Sequence, residues 1–205
     1  MLGPKEKRER ALGGPLGLKG DRAMTPKSAL LRKPYRPGVH GPKSRPRALS
    51  EFGLQLREKS KFKLAYGLDD RNLARLFEIA EATKSALGVK VIELLERRID
   101  NVVYRLGFAP TRLAARQLVV QGHIAVNGKK VVSPGYEVRV GDRIAAREGS
   151  KQKGAFTRRK EFLLKYDAPS WLRLDPEKLE GEVLSLPVDT EIPFEINLLV
   201  ESFSK

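Results

Sequence analysis

At Gly122 the apolar residues of this 205-residue chain change period, and few folds can use both halves of the change. Upstream, Val91, Ile92, Leu95, Ile99, Val102, Val103 and Leu106 fall at the three-to-four spacing of one helical face. Gly107 stops that helix and Pro110 forbids its early resumption. Thr111 then caps a second helix over 112–121, with Leu113, Ala114, Leu118 and Val119 turned inward. Its other face carries Arg112 and Arg116 one turn apart, with Gln117 and Gln121 nearby. Downstream, His123-Ile124-Ala125-Val126 alternates, Asn127-Gly128 signals a two-residue hairpin turn, and Lys129-Lys130-Val131-Val132 returns. Pro134-Gly135 leads into a strand candidate at 136–140, and Gly141-Asp142 into another at 143–147. The spacing predicts two helices at an angle followed by a small antiparallel sheet. This module of some 57 residues (91–147) sets a basic helix face beside a basic hairpin.

Charge narrows the class of partner. The chain carries 40 Lys and Arg against 25 Asp and Glu, a net charge of +15, which suits a polyanion. Most of the excess sits early: residues 1–47 hold +10, residues 48–90 +2, residues 91–150 +4 and residues 151–205 −1. The first segment is rich in Gly and Pro and has no sustained period, so its order is expected to come from a partner. Without cysteine the chain forms no disulfide and no thiolate metal site. No apolar run approaches the roughly 18 residues a membrane span needs, and the N-terminus shows no signal-peptide core, so a cytoplasmic protein is expected.

From Ser50 the chain reads as helical. Phe52, Leu56, Phe62, Ala65 and Tyr66 fit roughly one stripe, and Arg57, Lys59, Lys61 and Lys63 crowd the rest. Gly67 ends this helix. Asp69 or Asp70 caps the next, whose Leu73, Leu76, Phe77 and Ala80 stand at i, i+3, i+4 and i+7. Residues 83–90 read as a short link. Beyond the module, residues 150–166 form a basic helix candidate with Arg158, Arg159 and Lys160 clustered. Strand signals follow at 171–174, 181–186 and 196–201, separated by Pro176, Pro187 and Pro193.

Catalytic chemistry is hard to place. His40 lies in a Pro/Gly loop and His123 begins a strand; each reads equally as a donor to phosphate or base and as a plain loop residue. Gly13-Gly14-Pro15-Leu16-Gly17 lacks the following Lys-Ser/Thr and preceding strand of a phosphate loop. Arg97-Arg98-Ile99-Asp100 resembles the Arg-Leu-Asp motif of pseudouridine synthases. Here, however, Asp100 falls inside a helix, and too few residues follow the module for that catalytic domain. An ion pair between Asp100 and a neighbouring arginine is expected instead.

The run Leu94-Leu95-Glu96-Arg97-Arg98-Ile99-Asp100-Asn101-Val102-Val103-Tyr104-Arg105-Leu106-Gly107-Phe108-Ala109 resembles the bacterial small-subunit ribosomal protein S-four family. So do Ala115-Arg116-Gln117-Leu118-Val119, Gly122-His123-Ile124, Val126-Asn127-Gly128-Lys129 and Arg139-Val140-Gly141-Asp142. Outside the module the resemblance continues through Tyr35-Arg36-Pro37-Gly38-Val39-His40-Gly41, Gln55-Leu56-Arg57-Glu58-Lys59, Tyr66-Gly67, Pro169-Ser170-Trp171-Leu172 and Ser202-Phe203-Ser204-Lys205. It implies an α+β chain: a mostly helical N-terminal domain, completed by C-terminal segments, with an inserted S-four RNA-binding domain of two helices and a small antiparallel sheet. The boundaries expected are a basic arm at 1–47, a helical domain at 48–90 and the S-four domain at 91–167. Strands in 168–205 would pack back on the helices.

The resemblance further implies a structural, non-enzymatic role: direct binding to the 5′ domain of 16S rRNA, early organisation of the 30S body and an influence on decoding accuracy. Ribosomal proteins S-five and S-twelve are the implied protein partners, and messenger RNA is a further candidate; no membrane is involved. Resemblance and charge nominate as RNA contacts Arg32, Lys33, Tyr35, Arg36, His40, Lys43, Arg45 and Arg47 in the arm. They also nominate Arg57, Lys59 and Lys61 on the first long helix, and Arg112, Arg116, Gln117, His123, Asn127, Lys129 and Lys130 in the module. Some members hold zinc through four arm cysteines. Those positions are Glu6, Glu9, Ala23 and Ser28 here, so no metal and no other cofactor is expected, and the two carboxylates read as surface charges. An RNA-modifying enzyme and a free ribosome-salvage factor are the competing classes; the salvage factor would need only the module.

Overall fold

The computed structural model describes residues 4–43, 48–83, 85–187, 192 and 194–203. In chain order these residues form α1 (Lys5–Leu12), α2 (Ala29–Arg32), α3 (Glu51–Tyr66), α4 (Asp70–Glu81), α5 (Leu87–Glu96), α6 (Ile99–Arg105) and α7 (Arg112–Val120). Then come β1 (Ile124–Val126), β2 (Lys129–Val131), β3 (Arg143–Ala146), α8 (Glu148–Lys151), α9 (Gly154–Thr157), α10 (Lys160–Leu164), β4 (Leu172–Asp175), β5 (Glu180–Val183) and α11 (Ile196–Glu201). Short 3-10 turns occupy Gly20–Met24 and Gly41–Lys43. Two compact units result, one from Met1–Ala82 with Ile192–Lys205, the other from Thr83–Glu191.

In the first unit, Ser50 Oγ accepts from Gly53 N (3.2 Å) to start α3, and an Asp69 carboxylate oxygen accepts from Asn72 N (2.8 Å) to start α4. That backbone donor holds the Asp69 carboxyl below its ordinary pKa. Leu73, Leu76, Phe77 and Ala80 are all buried, as their spacing predicts. The expected stripe on α3 is rotated: Phe52 and Leu56 face solvent, and Gln55, Glu58, Phe62, Ala65 and Tyr66 are buried. The reason is polar. Gln55 Nε2 donates to Glu201 of α11 (3.1 Å), and Glu58 pairs with Lys61. Phe62 packs against Phe194 with centroids 5.1 Å apart, and Phe77 stacks on Phe203 at 4.1 Å.

The strand expected at 196–201 is a helix. Ile196, Leu199 and Val200 stand at i, i+3 and i+4, and Leu199 is fully buried; a six-residue apolar run fits either element, and packing decides. The arm also departs from expectation, because the described part is tied down internally. Glu9 is only 4% exposed, and its Oε1 accepts from both Leu16 N and Leu18 N (3.1 Å each). Arg10 donates to the carbonyls of Lys33 and Tyr35 (2.8 Å each), and Arg57 Nε to that of Leu12 (2.8 Å). Glu6 pairs with Arg22 at 3.2 Å. So Glu9 is a buried staple, not the surface charge expected. With Glu9 engaged and Ala23 lacking any donor, these positions do not fit a tetrahedral thiolate-type metal site.

The second unit contains the S-four-like module and more. Its helix 91–106 is broken: Arg98 adopts an extended ψ of 136° between α5 and α6 and bridges to Glu137. Val138 N donates to Arg97 O (2.9 Å) and Ile99 N to Tyr136 O (2.8 Å), so 136–138 serves this break instead of forming a strand. The helix expected over 150–166 is three short ones, α8, α9 and α10. At the hairpin, Asn127 and Gly128 both adopt positive φ (49° and 76°), the two-residue turn that an Asn-Gly pair favours.

The antiparallel sheet has order β2-β1-β3-β5-β4. Residues 172–183 were expected to pack on the N-terminal helices; they complete this sheet. β5 pairs with β3 so that Arg143 opposes Glu182, and Trp171, Leu172, Leu179 and Val183 enter the core with Ile99, Val103, Phe108, Ile124, Ile144 and Phe156. Each such side chain fully buried contributes about 1.5–3 kcal/mol. Only residues from Ile192 onward group with the first unit.

Candidate nucleic-acid interface

Thr111 Oγ1 accepts from Ala114 N (3.1 Å), so α7 starts where the sequence places it. Its inward face is Ala115, Leu118 and Val119; Leu113 and Ala114 are half-buried. Beneath the helix lie two buried acids, each gripping arginines. Glu96, fully buried, accepts from Arg105 Nε (2.9 Å) and Nη2 (3.0 Å) and from Asn101 Nδ2 (2.6 Å), with Arg112 Nη2 at 3.7 Å. Asp100, 4% exposed, accepts from Arg98 Nε (3.1 Å) and Nη2 (2.7 Å), with Arg116 Nη1 at 3.6 Å. This is the ion pair expected of Asp100, and an acid so neutralised is not placed as a nucleophile.

The two α7 arginines therefore differ. Arg112, expected to be exposed, is largely internal: its Nε donates to Asn101 Oδ1 (2.6 Å) and its guanidinium lies 4.7 Å from the Tyr104 ring centre. Arg116 keeps 40% of its side chain exposed, beside exposed Gln117. Lys129 and Lys130 are exposed on β2. The Lys130 stem lies over Gly122, where an added Cβ would come 2.3 Å from Cε, so the hairpin reaches the C-terminal end of α7. Arg116, Gln117, Lys129 and Lys130 thus share one rigid frame with outward polar ends. Asn127 is exposed but engaged: its Oδ1 accepts from Arg143 N (2.9 Å) and its Nδ2 donates to Asp142 (2.8 Å), fixing the turn.

His123 sits beside this frame, its Nδ1 3.0 Å from Ser150 Oγ. Burial, then the charges of Lys153 and Arg147, hold its pKa below the ordinary value. Arg147 Nη1 also donates to Gly122 O (3.2 Å). Neither Arg147 nor Lys153 was nominated from the sequence. Both lie more than twenty residues beyond α7 and reach its end only through β3 and the turns after it, so no local pattern marks them.

In the first unit, Arg32, Lys33, Tyr35, Arg36, His40 and Lys43 are exposed, with Arg10 lying 5.0 Å over the Tyr35 ring. Arg45 and Arg47 lie outside the described residues. The α3 cations have internal partners: Arg57 holds Leu12 O, Lys59 sits 4.0 Å over the Phe203 ring, and Lys61 pairs with Glu58. No group of three or more His, Asp or Glu among the described residues is arranged to hold a metal ion.

Two helices, a basic hairpin and a sheet closed on one core define an S4-domain protein. A family model of the S4 domain matches residues 97–144, and one of the ribosomal protein S4/S9 N-terminal domain matches residues 1–96. The small ribosomal subunit protein uS4 of Caldicellulosiruptor saccharolyticus is 47% identical over 206 residues, covering the whole of this chain and 98% of that protein. Its counterpart in Roseiflexus castenholzii is 46% identical over 208 residues, with the same coverage. The uS4A protein of Alkaliphilus oremlandii is 49% identical over 198 residues, 96% of this chain and 94% of that one. The chain belongs to the uS4 family of ribosomal proteins.

Proposed function

We propose that the protein is a structural, non-enzymatic constituent of the small ribosomal subunit that binds 16S rRNA directly, in its 5′ domain, and early enough to organise the 30S body. Its place of work is then the cytoplasmic ribosome, and contacts with proteins S-five and S-twelve would connect it to decoding accuracy; messenger RNA is a further candidate ligand. The observation that carries the reading is the frame of Arg116, Gln117, Lys129 and Lys130, in which half-exposed Arg116 lies 3.6 Å from buried Asp100 and the two lysines are exposed on β2. Folded RNA hides its base edges in a deep groove, so a rigid basic surface that meets backbone and exposed loops is the matching shape. The exposed arm cations add neutralising charge that needs no exact placement.

Filter binding to a 5′-domain rRNA fragment across a salt series tests this. Arg116→Glu with Lys130→Glu should lower affinity and flatten the salt slope by roughly one unit per lost phosphate contact, circular dichroism staying unchanged. Unchanged affinity in that folded variant would move the interface to the arm. Absence of the protein from purified small subunits on sedimentation would sink the proposal.

A further inference from the structure

The unit that carries the candidate interface also carries a short aromatic stack at α10, closed at one end by an arginine. Tyr166 stacks on Phe162, centroids 5.2 Å apart and planes inclined by 29°, and Arg159 lies 4.1 Å over Phe162. None of these groups is loosely held. Tyr166 OH donates to Arg105 O (3.0 Å) and Arg159 Nε to Gly107 O (2.8 Å). Gly107, at φ 76°, lets α10 come this close: a Cβ there would stand 3.0 Å from Leu163 Cδ2 and Tyr166 Cδ1. Phe162 nevertheless leaves 41% of its surface in water, where an aromatic side chain of a small core is usually hidden. Around it Arg158, Lys160 and Lys165 are exposed, against the acids Glu161 and Asp167.

We propose that the strip Tyr166–Phe162–Arg159 is a stacking seat for unpaired RNA bases, extending the RNA interface from α7 to α10. It rests on the reading that this unit binds RNA. The chemistry favours RNA over a protein partner on two counts. Arg159 lies over the strip, and exposed Arg158, Lys160 and Lys165 border it and outnumber Glu161 and Asp167, which suits a polyanion. Every base offers a π-face to a ring or a guanidinium plane, and such stacking tolerates any sequence. An ordered aromatic row also needs little further ordering when a base arrives.

The test uses the full chain with two probes, a short oligoadenylate single strand and a blunt RNA duplex of equal length. Phe162→Ala should weaken binding of the single strand about tenfold and leave the duplex unaffected. Phe162→Trp should restore the affinity, with its emission quenched by oligoadenylate; Trp171, buried, supplies a constant background. Phe162→Leu keeps the apolar volume without the π-system, and is the variant to read if alanine perturbs the circular dichroism. Equal losses for both probes, or no loss for either, overturn the seat. So does a Phe162→Ala protein that binds both probes normally yet leaves the small subunit, since that assigns the strip to a protein. Arg116→Glu with Lys130→Glu, run in parallel on the rRNA fragment, separates the two readings. If that pair loses nothing while Phe162→Ala loses single-strand affinity, the α7 frame fails and the seat stands.

Discussion

The two units are held together by different means. The unit of residues 83–191 closes on one contiguous apolar core, Ile99 through Val183, and its charges are buried in pairs beneath α7. The described part of residues 1–82 builds its outer portion from polar staples: Glu9 to two backbone N–H groups, Arg10 to two carbonyls, Arg57 to a third. An apolar core resists water everywhere at once, whereas a staple fixes one loop and can open alone. The difference teaches that a Gly- and Pro-rich basic segment is not thereby unstructured; a few well-placed side chains replace the core it cannot build.

The comparison breaks most sharply at Glu96. Glu96→Ala removes the buried carboxylate that half-buried Arg105 and buried Asn101 donate to, with the Glu96 carbonyl (3.3 Å) remaining to Asn101, so the unit should lose about 3–5 kcal/mol, a large fraction of a typical domain's stability. Urea denaturation followed by Trp171 fluorescence measures it. A loss no larger than that of an exposed acid would mean the pair carries little of the fold.

Glu9→Ala should cost the first unit about 1–3 kcal/mol, because two amides lose their partner. The effect should stay local: faster hydrogen exchange at Leu16 and Leu18 and quicker proteolysis of the segment, with the Trp171-reported transition unmoved. Glu9→Gln keeps an acceptor oxygen and should lie between. A shift of the global transition would erase the distinction between staple and core.

The smallest effect concerns acid. With its pKa depressed in the fold, His123 binds a proton more readily in the unfolded chain, so stability falls as pH drops below the ordinary histidine value of about 6.5. His123→Gln should flatten the change in urea midpoint between about pH 7.5 and 5.5. An unaltered slope would place the origin of any acid sensitivity elsewhere.

The sequence was most readable where apolar spacing and turn chemistry act together. Leu73 to Ala80, the Thr111 cap, the Asn127-Gly128 turn and the first sheet strands stand where the pattern puts them. It was least readable where polar partners decide. On α3, Gln55 and Glu58 took the inner face from Phe52 and Leu56, because Glu201 and Lys61 wait for them, one of them 146 residues away. The 150–166 segment has one helical composition but three helices, and 172–183 joined β3 because pairing partners are not written in a strand's own residues. For the candidate interface, Arg116, Lys129 and Lys130 were legible from helical and hairpin periodicity. Arg112 was not, since Asn101 and Glu96 draw it inward across a helix break that no spacing announces.

One feature of the first unit bears on how the molecule is made. α3 and α4 find Phe194, Glu201 and Phe203 only after the whole intervening unit has been translated. The intervening unit draws every described strand of its sheet from Thr83–Glu191. A released chain that stops before Ile192 therefore has all the residues of the inner unit and an α3–α4 pair still lacking its last partner.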